Sequence, residues 1–436
     1  MEYDTIKLLN LEDADIDLSK SSVVKNDDNT LNCIIVLNKK QECCSVCGSL
    51  NYKINDYVCK RITHSISTHN PCSLIYKARR YKCKDCNNTF YEKNPFCQKD
   101  EKVSLFTELK VLEKLRSHTS TFSSVARDLN LSVQGVINIF DKYVNASRLT
   151  LPTIICMDEI YTNRLTKKKY SCVLYDFLGQ QLIDVYPSRL KIDLINNLSK
   201  IPLKERSQVK YVVIDMWDTY NYVSKLVFPN CRVAVDSFHV ITHLNLAIDC
   251  IRLKVMRKFN HGHSKLENAD MYYYMLKKFH YFFNKSFDNI YDGDIKIPKI
   301  KSKWDKYEIR KYLLSIDDIL RDAYNLKEKF QEFNATAHYE NCDVELNYFI
   351  EKFSCFPEEE FREFGRLLNH WKNEIKNSFI RINNYRLSNG RMEGCNSRLK
   401  CIIKNANGYR NFNRFRNKCF FSINKNTPII NPKKLK

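Results

Sequence analysis

The sequence predicts an α/β core interrupted by a long helical insertion and preceded by a cysteine-rich metal module and a pair of short helices. Three observations carry that prediction. Short apolar runs alternate with helical periodicity between about residues 151 and 240, helical patterning alone continues to about 380, and two Cys-x-x-Cys pairs precede both.

Residues 1–42 are polar and acidic with one strand-like run, Cys33 to Leu37, and read as a weakly structured arm. Residues 43–98 form the metal module. Cys44-x-x-Cys47 and Cys83-x-x-Cys86 supply four thiolates from two tight knuckles, a set that suits tetrahedral zinc in a structural role. The interval between the pairs exceeds the usual roughly 15 to 20 residues, so Cys43, Cys59, His64, His69 and Cys72 stand as substitute ligands. Arg79, Arg80, Lys82 and Lys84 surround the second knuckle, where they would meet phosphates irrespective of base sequence or simply face solvent.

Residues 99–150 turn helical. Leu105, Leu109, Leu112 and Leu115 mark one helix; Ser123 or Ser124 is placed to cap a second running through Leu129, and Ser132 a third running through Phe140. Small Ala126 lets the last two cross closely. That is the layout of a helix-turn-helix presenting Gln134 and Asn138 to a major groove, with a plain helical hairpin as the alternative.

Residues 151–240 carry the α/β pattern. Strands are predicted at 153–157, 170–175 and 181–186, a helix near 190–198, a strand at 211–214, a helix at 219–227 and a strand at 231–235. Residues 241–380 show only helical patterning, rich in Tyr, Phe and Lys, with breaks at Pro298 and Pro357; most of their aromatics are expected in a core, and a minority are available to stack on bases. Residues 381–425 return to the core with a basic helix, turn and helix, and 426–436 form a basic tail.

Composition narrows the function. Lys and Arg number 71 against 50 Asp and Glu, a net charge of +21 that favours a polyanionic partner, nucleic acid before lipid headgroups. No apolar stretch approaches the roughly 20 residues that span a bilayer. The acidic N-terminus lacks a secretory pattern, so a cytoplasmic protein is expected. Half of the 18 cysteines fall in the first 97 residues, which fits a metal knuckle plus buried thiols better than a disulfide framework.

Three acids close apolar strands: Asp158 after TIICM, Asp215 after VKYVVI and Asp236 after CRVAV. An acid there sits at the carboxyl edge of an open sheet, where α/β folds place their sites, and two on neighbouring strands can share hard divalent cations. Each alone has a bland reading, since Asp commonly caps the helix that follows a strand. A further cluster, Asn389 to Asn396, opens a helix with Glu393 and Asn396 on one face and Arg398, Lys400 and Lys404 beyond; it reads either as a charged capping turn or as the source of a third carboxylate.

Taken in order, RRYKCKDCNNTF, the helix pair, the strand ending MDE, VIDMWDTY, VDSFHV and EGCNSRLKCIIKNANGYRNFNRFR resemble the ISL-three family of bacterial insertion-sequence transposases, over roughly residues 43–421. The resemblance implies a DDE transposase with an RNase H-like core. Asp158, Asp215 and Glu393 would be its catalytic carboxylates holding two Mg2+ or Mn2+ ions, with Asp236, His239 and Asn396 supporting the site. Glu159 and Asp218 are read as bystanders. Zinc at the four cysteines would be structural. The amino-terminal modules would recognise the terminal inverted repeats of an element, and Arg79, Arg80, Lys82, Gln134, Asn138, Arg398, Lys400 and Lys404 would contact DNA. Partners would be double-stranded DNA, at element ends and target, and a second copy or larger assembly of the chain, nucleoid-associated when bound. Two other readings stay open: a DNA-binding regulator or inactive relative, and a nuclease that cuts without joining. Tyrosine recombinase chemistry lacks a matching Arg and His arrangement.

Overall fold

Along Cys72–Cys83 nearly every second residue is buried, so this segment is a strand with one face in a core. The computed structural model describes residues 1–66, 70–163, 168–260 and 268–429, and it divides into two compact units. His69 and the end of the basic tail lie outside the described residues.

The first unit comprises Met1–Ser147 and the chain from Ser397, with the short stretch after Tyr161. It begins with α1 (Tyr3–Leu8), β1 (Ser22–Lys25), β2 (Leu31–Ile35), β3 (Tyr52–His64), β4 (Cys72–Cys83) and β5 (Thr89–Tyr91). One sheet in the order β1-β2-β4-β3, with β5 also on β4, holds all five strands. The amino-terminal arm is therefore folded, not loose: Ile6, Leu9, Leu11 and Ile16 are buried with Cys33, Ile35, Leu74 and Tyr76. The first four cover the face of β4 that carries Leu74, Tyr76 and Ala78, a partner more than fifty residues further along the chain.

Next come α2 (Leu105–Leu115), α3 (Phe122–Asp128) and α4 (Val133–Tyr143). Thr121, not Ser123 or Ser124, caps α3: its side chain accepts from the Ser124 amide while Ser124 answers to the Thr121 amide, a reciprocal capping box. Ser132 caps α4 through the Gly135 amide at 3.0 Å. Asn130, at φ 53°, makes the turn between them. Val111, Leu115, Val125, Ala126, Val136 and Phe140 share one core, which Phe421 from the carboxyl-terminal helix of this unit completes.

The second unit is built on β6 (Ile154–Asn163), β7 (Lys169–Asp176), β8 (Leu182–Tyr186), α5 (Lys191–Leu198), α6 (Leu203–Arg206), β9 (Tyr211–Ile214), α7 (Asp218–Val227) and β10 (Arg232–Val235). The sheet order is β10-β9-β6-β7-β8. β9 runs parallel to both β6 and β10, while β7 and β8 are antiparallel. Ile155, Met157, Val212, Ile214, Val233 and Val235 lie on the sheet's buried side, packed against Leu194, Leu198, Tyr220 and Val223 of the connecting helices.

After β10 the chain enters α8 (Ser237–Lys258), capped by Asp236, and then α9 (Ala269–Lys278) and α10 (Tyr281–Asn284). A small hairpin of β11 (Ile295–Ile297) and β12 (Ser302–Trp304) interrupts what the sequence reads as wholly helical, because three-residue strands are too short to show a period. The helices resume as α11 (Lys306–Leu314), α12 (Asp318–Thr336), α13 (Cys342–Ser354), α14 (Glu359–His370) and α15 (Lys372–Ser378). Phe330 centres an aromatic cluster with Phe333, Phe349, Phe353 and Phe364, so these rings serve packing. Gly365 permits α14 to approach α13: a Cβ there would stand 2.7 Å from the Ser354 amide nitrogen. The insertion and the sheet share one hydrophobic core. A second hairpin, β13 (Arg381–Ile382) and β14 (Tyr385–Arg386), leads to α16 (Gly390–Asn405) and α17 (Phe412–Ile423). Among the described residues no helix is long and apolar enough to cross a membrane.

Candidate functional site

Parallel register brings three aspartates level. Met157 pairs with Ile214, and Ile214 with Val235, so the next residue on each of β6, β9 and β10 is an acid: Asp158, Asp215 and Asp236. Neighbouring strands lie about 4.8 Å apart. Three carboxylates thus stand side by side where β9 and β10 end and β6 continues.

The start of α16 faces them. Asn389 donates from Nδ2 to Asp215 Oδ1 at 2.9 Å, and Asn396 donates from Nδ2 to Asp158 Oδ2. Arg391 adds a third tether, 3.0 Å to the Phe177 carbonyl, with its guanidinium over the Tyr385 and Phe177 rings. Glu393 lies four residues after Asn389 and three before Asn396, and its amide closes a helical bond to the Asn389 carbonyl at 3.1 Å. Those spacings put all three residues on one helix face. Asn389 sits on Asp215 and Asn396 on Asp158, whereas Glu393, on the same helix face, is exposed and lies outside the group of ligand atoms that Asp215 forms with Asp236 and His239.

Burial sets the electrostatics. The Asp158 carboxyl is pushed up to about 7, first by desolvation and then by the neighbouring Asp215 charge. Desolvation also raises Asp236, which is 2% exposed. His239, one turn into α8, is held above its ordinary value by its bond to Asp215, Nε2 to Oδ2 at 3.0 Å. Ligand atoms of Asp215, Asp236 and His239 lie within 4.8 Å of one another. The two nearby acids are engaged elsewhere: Glu159 with Arg189 at 2.6 Å and Asp218 with His370 at 2.9 Å.

A second cluster lies in the first unit. The sulfurs of Cys44, Cys47, Cys83 and Cys86 fall within 4.8 Å of one another, with Cys44 to Cys86 and Cys47 to Cys83 at 3.6 Å. Zinc–sulfur bonds of about 2.3 Å in a tetrahedron require sulfurs about 3.8 Å apart, so this cluster fits zinc. The knuckles match in backbone as well: Gly48 follows Cys47 and Asn87 follows Cys86, both at positive φ (73° and 59°). Backbone amides of Cys47 and Val46 lower the Cys44 thiol to about 7 and the Cys86 amide lowers Cys83, while the neighbouring cysteine side chains and burial push Cys47 up to about 12, so without a cation the four do not all ionise together. The substitute ligands among the described residues are not part of the cluster. His64 is buried between Ser104 and the Leu9 carbonyl, Cys72 faces Cys33 at 3.6 Å, and Cys43 and Cys59 are exposed.

The basic residues divide. Arg79 is not available to DNA: its side chain is 5% exposed, pairs with Glu92 at 2.8 Å and donates to the Leu37 carbonyl at 2.7 Å. The sequence shows a basic run, but Glu92 lies just after β5, and β4 turns Arg79 inward. Replacing Arg79 with Ala leaves the Glu92 carboxylate buried with the Tyr76 hydroxyl and one backbone amide but no cation, and is expected to lower stability by about 3–5 kcal/mol; an unchanged urea midpoint would contradict it. Arg80 pairs with Asp56 at a partly exposed position, and Lys82 is half-buried. Gln134 and Asn138 are exposed on α4 and joined at 2.7 Å. Along α16, Arg398 is half-buried while Lys400 and Lys404 are exposed.

Sequence reasoning left Asn389 without a role, because an Asn before a helix reads as a cap. Arg391 was equally silent. Both owe their positions to partners more than a hundred residues distant.

A family model of the ISL-three transposases, described as Transposase, matches residues 155–419, well over half of the chain. That span holds the three aspartates, His239, Asn389, Glu393 and Asn396. No curated protein matches the chain.

Proposed function

The chain belongs to the ISL-three family of DDE transposases, and on that premise we propose that it binds the terminal inverted repeats of an insertion sequence, cleaves DNA there and joins the freed 3′ ends to a target. One observation carries the proposal: Asp158 and Asp215 stand level on adjacent parallel strands, and the start of α16, the helix that carries Glu393, is tethered to them by Asn389 and Asn396. The sheet order β8-β7-β6-β9-β10, with β9 parallel to β6, supports an RNase H-like core.

Asp158, Asp215 and Glu393 are the catalytic carboxylates in this reading, and their hard oxygen donors fit two magnesium or manganese ions. Bound cations of this kind activate an attacking water or 3′-hydroxyl and stabilise the leaving oxygen. The chain's own task is positioning: Asn389 and Asn396 fix the two aspartates, and the shared register of β6 and β9 sets their separation. No covalent nucleophile of the protein is required. Recognition falls to the first unit, with Gln134 and Asn138 of a helix-turn-helix presenting carboxamides to base edges and Lys82, Lys400, Lys404, Arg80 and Arg398 meeting phosphates. Zinc at the four cysteines would be structural. Assembly on DNA as a dimer or larger complex completes the reading.

The test is a cleavage and joining assay on DNA carrying element ends. Cut and joined products are expected with Mg2+ and none without it; binding without cutting would leave a regulator, and cutting without joining a nuclease. Because a proton on Asp158, at about 7, competes with a cation, the Mg2+ concentration for half-maximal rate should rise about tenfold per pH unit below 7 and level off above it. A requirement independent of pH from 5.5 to 8 would remove Asp158 from the cation site.

A further inference from the structure

Beside the carboxylate trio stands a donor set of different chemistry. Asp215 turns one oxygen, Oδ2, to His239 Nε2 at 3.0 Å. Asp236 accepts the Phe238 amide on Oδ1 at 3.2 Å. All three side chains offer ligand atoms within 4.8 Å of one another.

Asn389 supplies the independent observation. Its side-chain Nδ2 bonds Asp215, and its backbone amide lies close enough to Asp236 to favour that carboxylate's charged form, so it stands beside both acids. The residue is 3% exposed, yet its Oδ1 is buried with no hydrogen-bond partner. A buried acceptor without a donor is costly and points to an ion or water that satisfies it. Within one carboxamide Oδ1 is only about 2.3 Å from Nδ2, so the orphaned oxygen lies at the cluster's edge.

We propose that Asp215, Asp236, His239 and the side-chain oxygen of Asn389 form a cation site of three oxygens and one nitrogen, selective for a divalent transition-metal ion over magnesium. A hard or borderline ion with bonds of about 2.1 Å holds neighbouring octahedral ligands about 3.0 Å apart, which matches the Asp215 to His239 separation. The imidazole nitrogen sets the selectivity, since magnesium takes oxygen ligands while transition ions accept imidazole. The site shares Asp215 with the proposed catalytic trio and so rests on that reading for its place in the reaction, though not for its existence.

Manganese titration of the zinc-loaded full-length chain tests it. Pulsed electron paramagnetic resonance should show one nitrogen coupled to bound Mn2+ in the wild type, absent in both His239→Ala and His239→Gln and retained in Glu393→Ala. His239 is 37% exposed at its side chain, so neither change threatens the core. Asn389→Ser should raise the Mn2+ dissociation constant about tenfold with the nitrogen coupling kept. Absence of nitrogen coupling in the wild type, or its survival without His239, overturns the site; an unchanged Mn2+ affinity in Asn389→Ser removes Asn389 from it. If the coupling is present while no ion supports cutting of end DNA, the cleavage reading fails and the cation site stands.

Discussion

Asp215→Ala is expected to abolish cleavage and joining of end DNA, by about 10^4-fold or more, the scale on which loss of one member of a cooperating catalytic set is felt. The expectation follows from how much converges on this carboxylate. Asp215 lies between Asp158 and Asp236 in the row that the parallel register creates, Asn389 donates to its Oδ1, and His239 contacts its Oδ2. Any cation shared with Asp158 must use it, and so must one held with Asp236 and His239. Substitution by Asn keeps the shape but exchanges a charged oxygen for an amide group, which places a donor opposite Asn389 Nδ2 or His239 Nε2; it should be nearly as damaging. Binding to end DNA, which the proposed function assigns to the other unit, should change by less than about twofold in a gel shift at fixed salt. Retention of a tenth or more of wild-type cleavage by Asp215→Ala would refute the assignment.

What the sequence made legible was local. The core strands show as short apolar runs followed by an acid, and the observed β9 and β10 coincide with or lie within one residue of the predicted spans, whereas β6 does not close at Asp158 but runs on to Asn163. Short buried runs of that kind need no knowledge of their neighbours. The paired cysteines were equally readable, since each knuckle is a local turn. Illegible features depend on partners far along the chain. Arg79 looks like its basic neighbours until Glu92 is seen beneath it. The acidic arm looks loose until β4 offers a face to Ile6, Leu9 and Ile16. At the start of α3 three hydroxyl residues compete for one cap, and the backbone, extended at Thr121, decides among them. Asn389 is the most instructive case: its carboxamide reaches Asp215 across a separation of 174 residues, and nothing in the local pattern distinguishes such a contact from a helix cap.

Removing zinc from the first unit, by chelation or by Cys83→Ser, is expected to melt one end of the β3–β4 hairpin and leave the other folded. Strand pairing runs from Tyr52 opposite Cys83 to His64 opposite Cys72. The first pair lies at the knuckles, where Cys83 is fully buried beside Tyr81 and Phe90, and that small cluster contains little else than the cysteines and three rings. Four thiolates within 4.8 Å of one another, two pairs of them at 3.6 Å, repel one another without a cation, and structural zinc of this type contributes on the order of 10 kcal/mol to the fold it closes. At the opposite end Ile62, Cys72, Leu74 and Tyr76 belong to the separate core that the amino-terminal arm covers, and that core needs no metal. Hydrogen exchange should therefore lose protection at the amides of Tyr52, Ile54, Tyr81 and Cys83 and keep it at Ile62 and Leu74, with zinc released in step. Loss of Lys82 from its fixed place beside the knuckle should weaken DNA binding and reduce its salt dependence by about one unit of slope. If protection near Cys83 survives complete removal of zinc, the four cysteines pack without a metal and the cluster has no structural ion to hold.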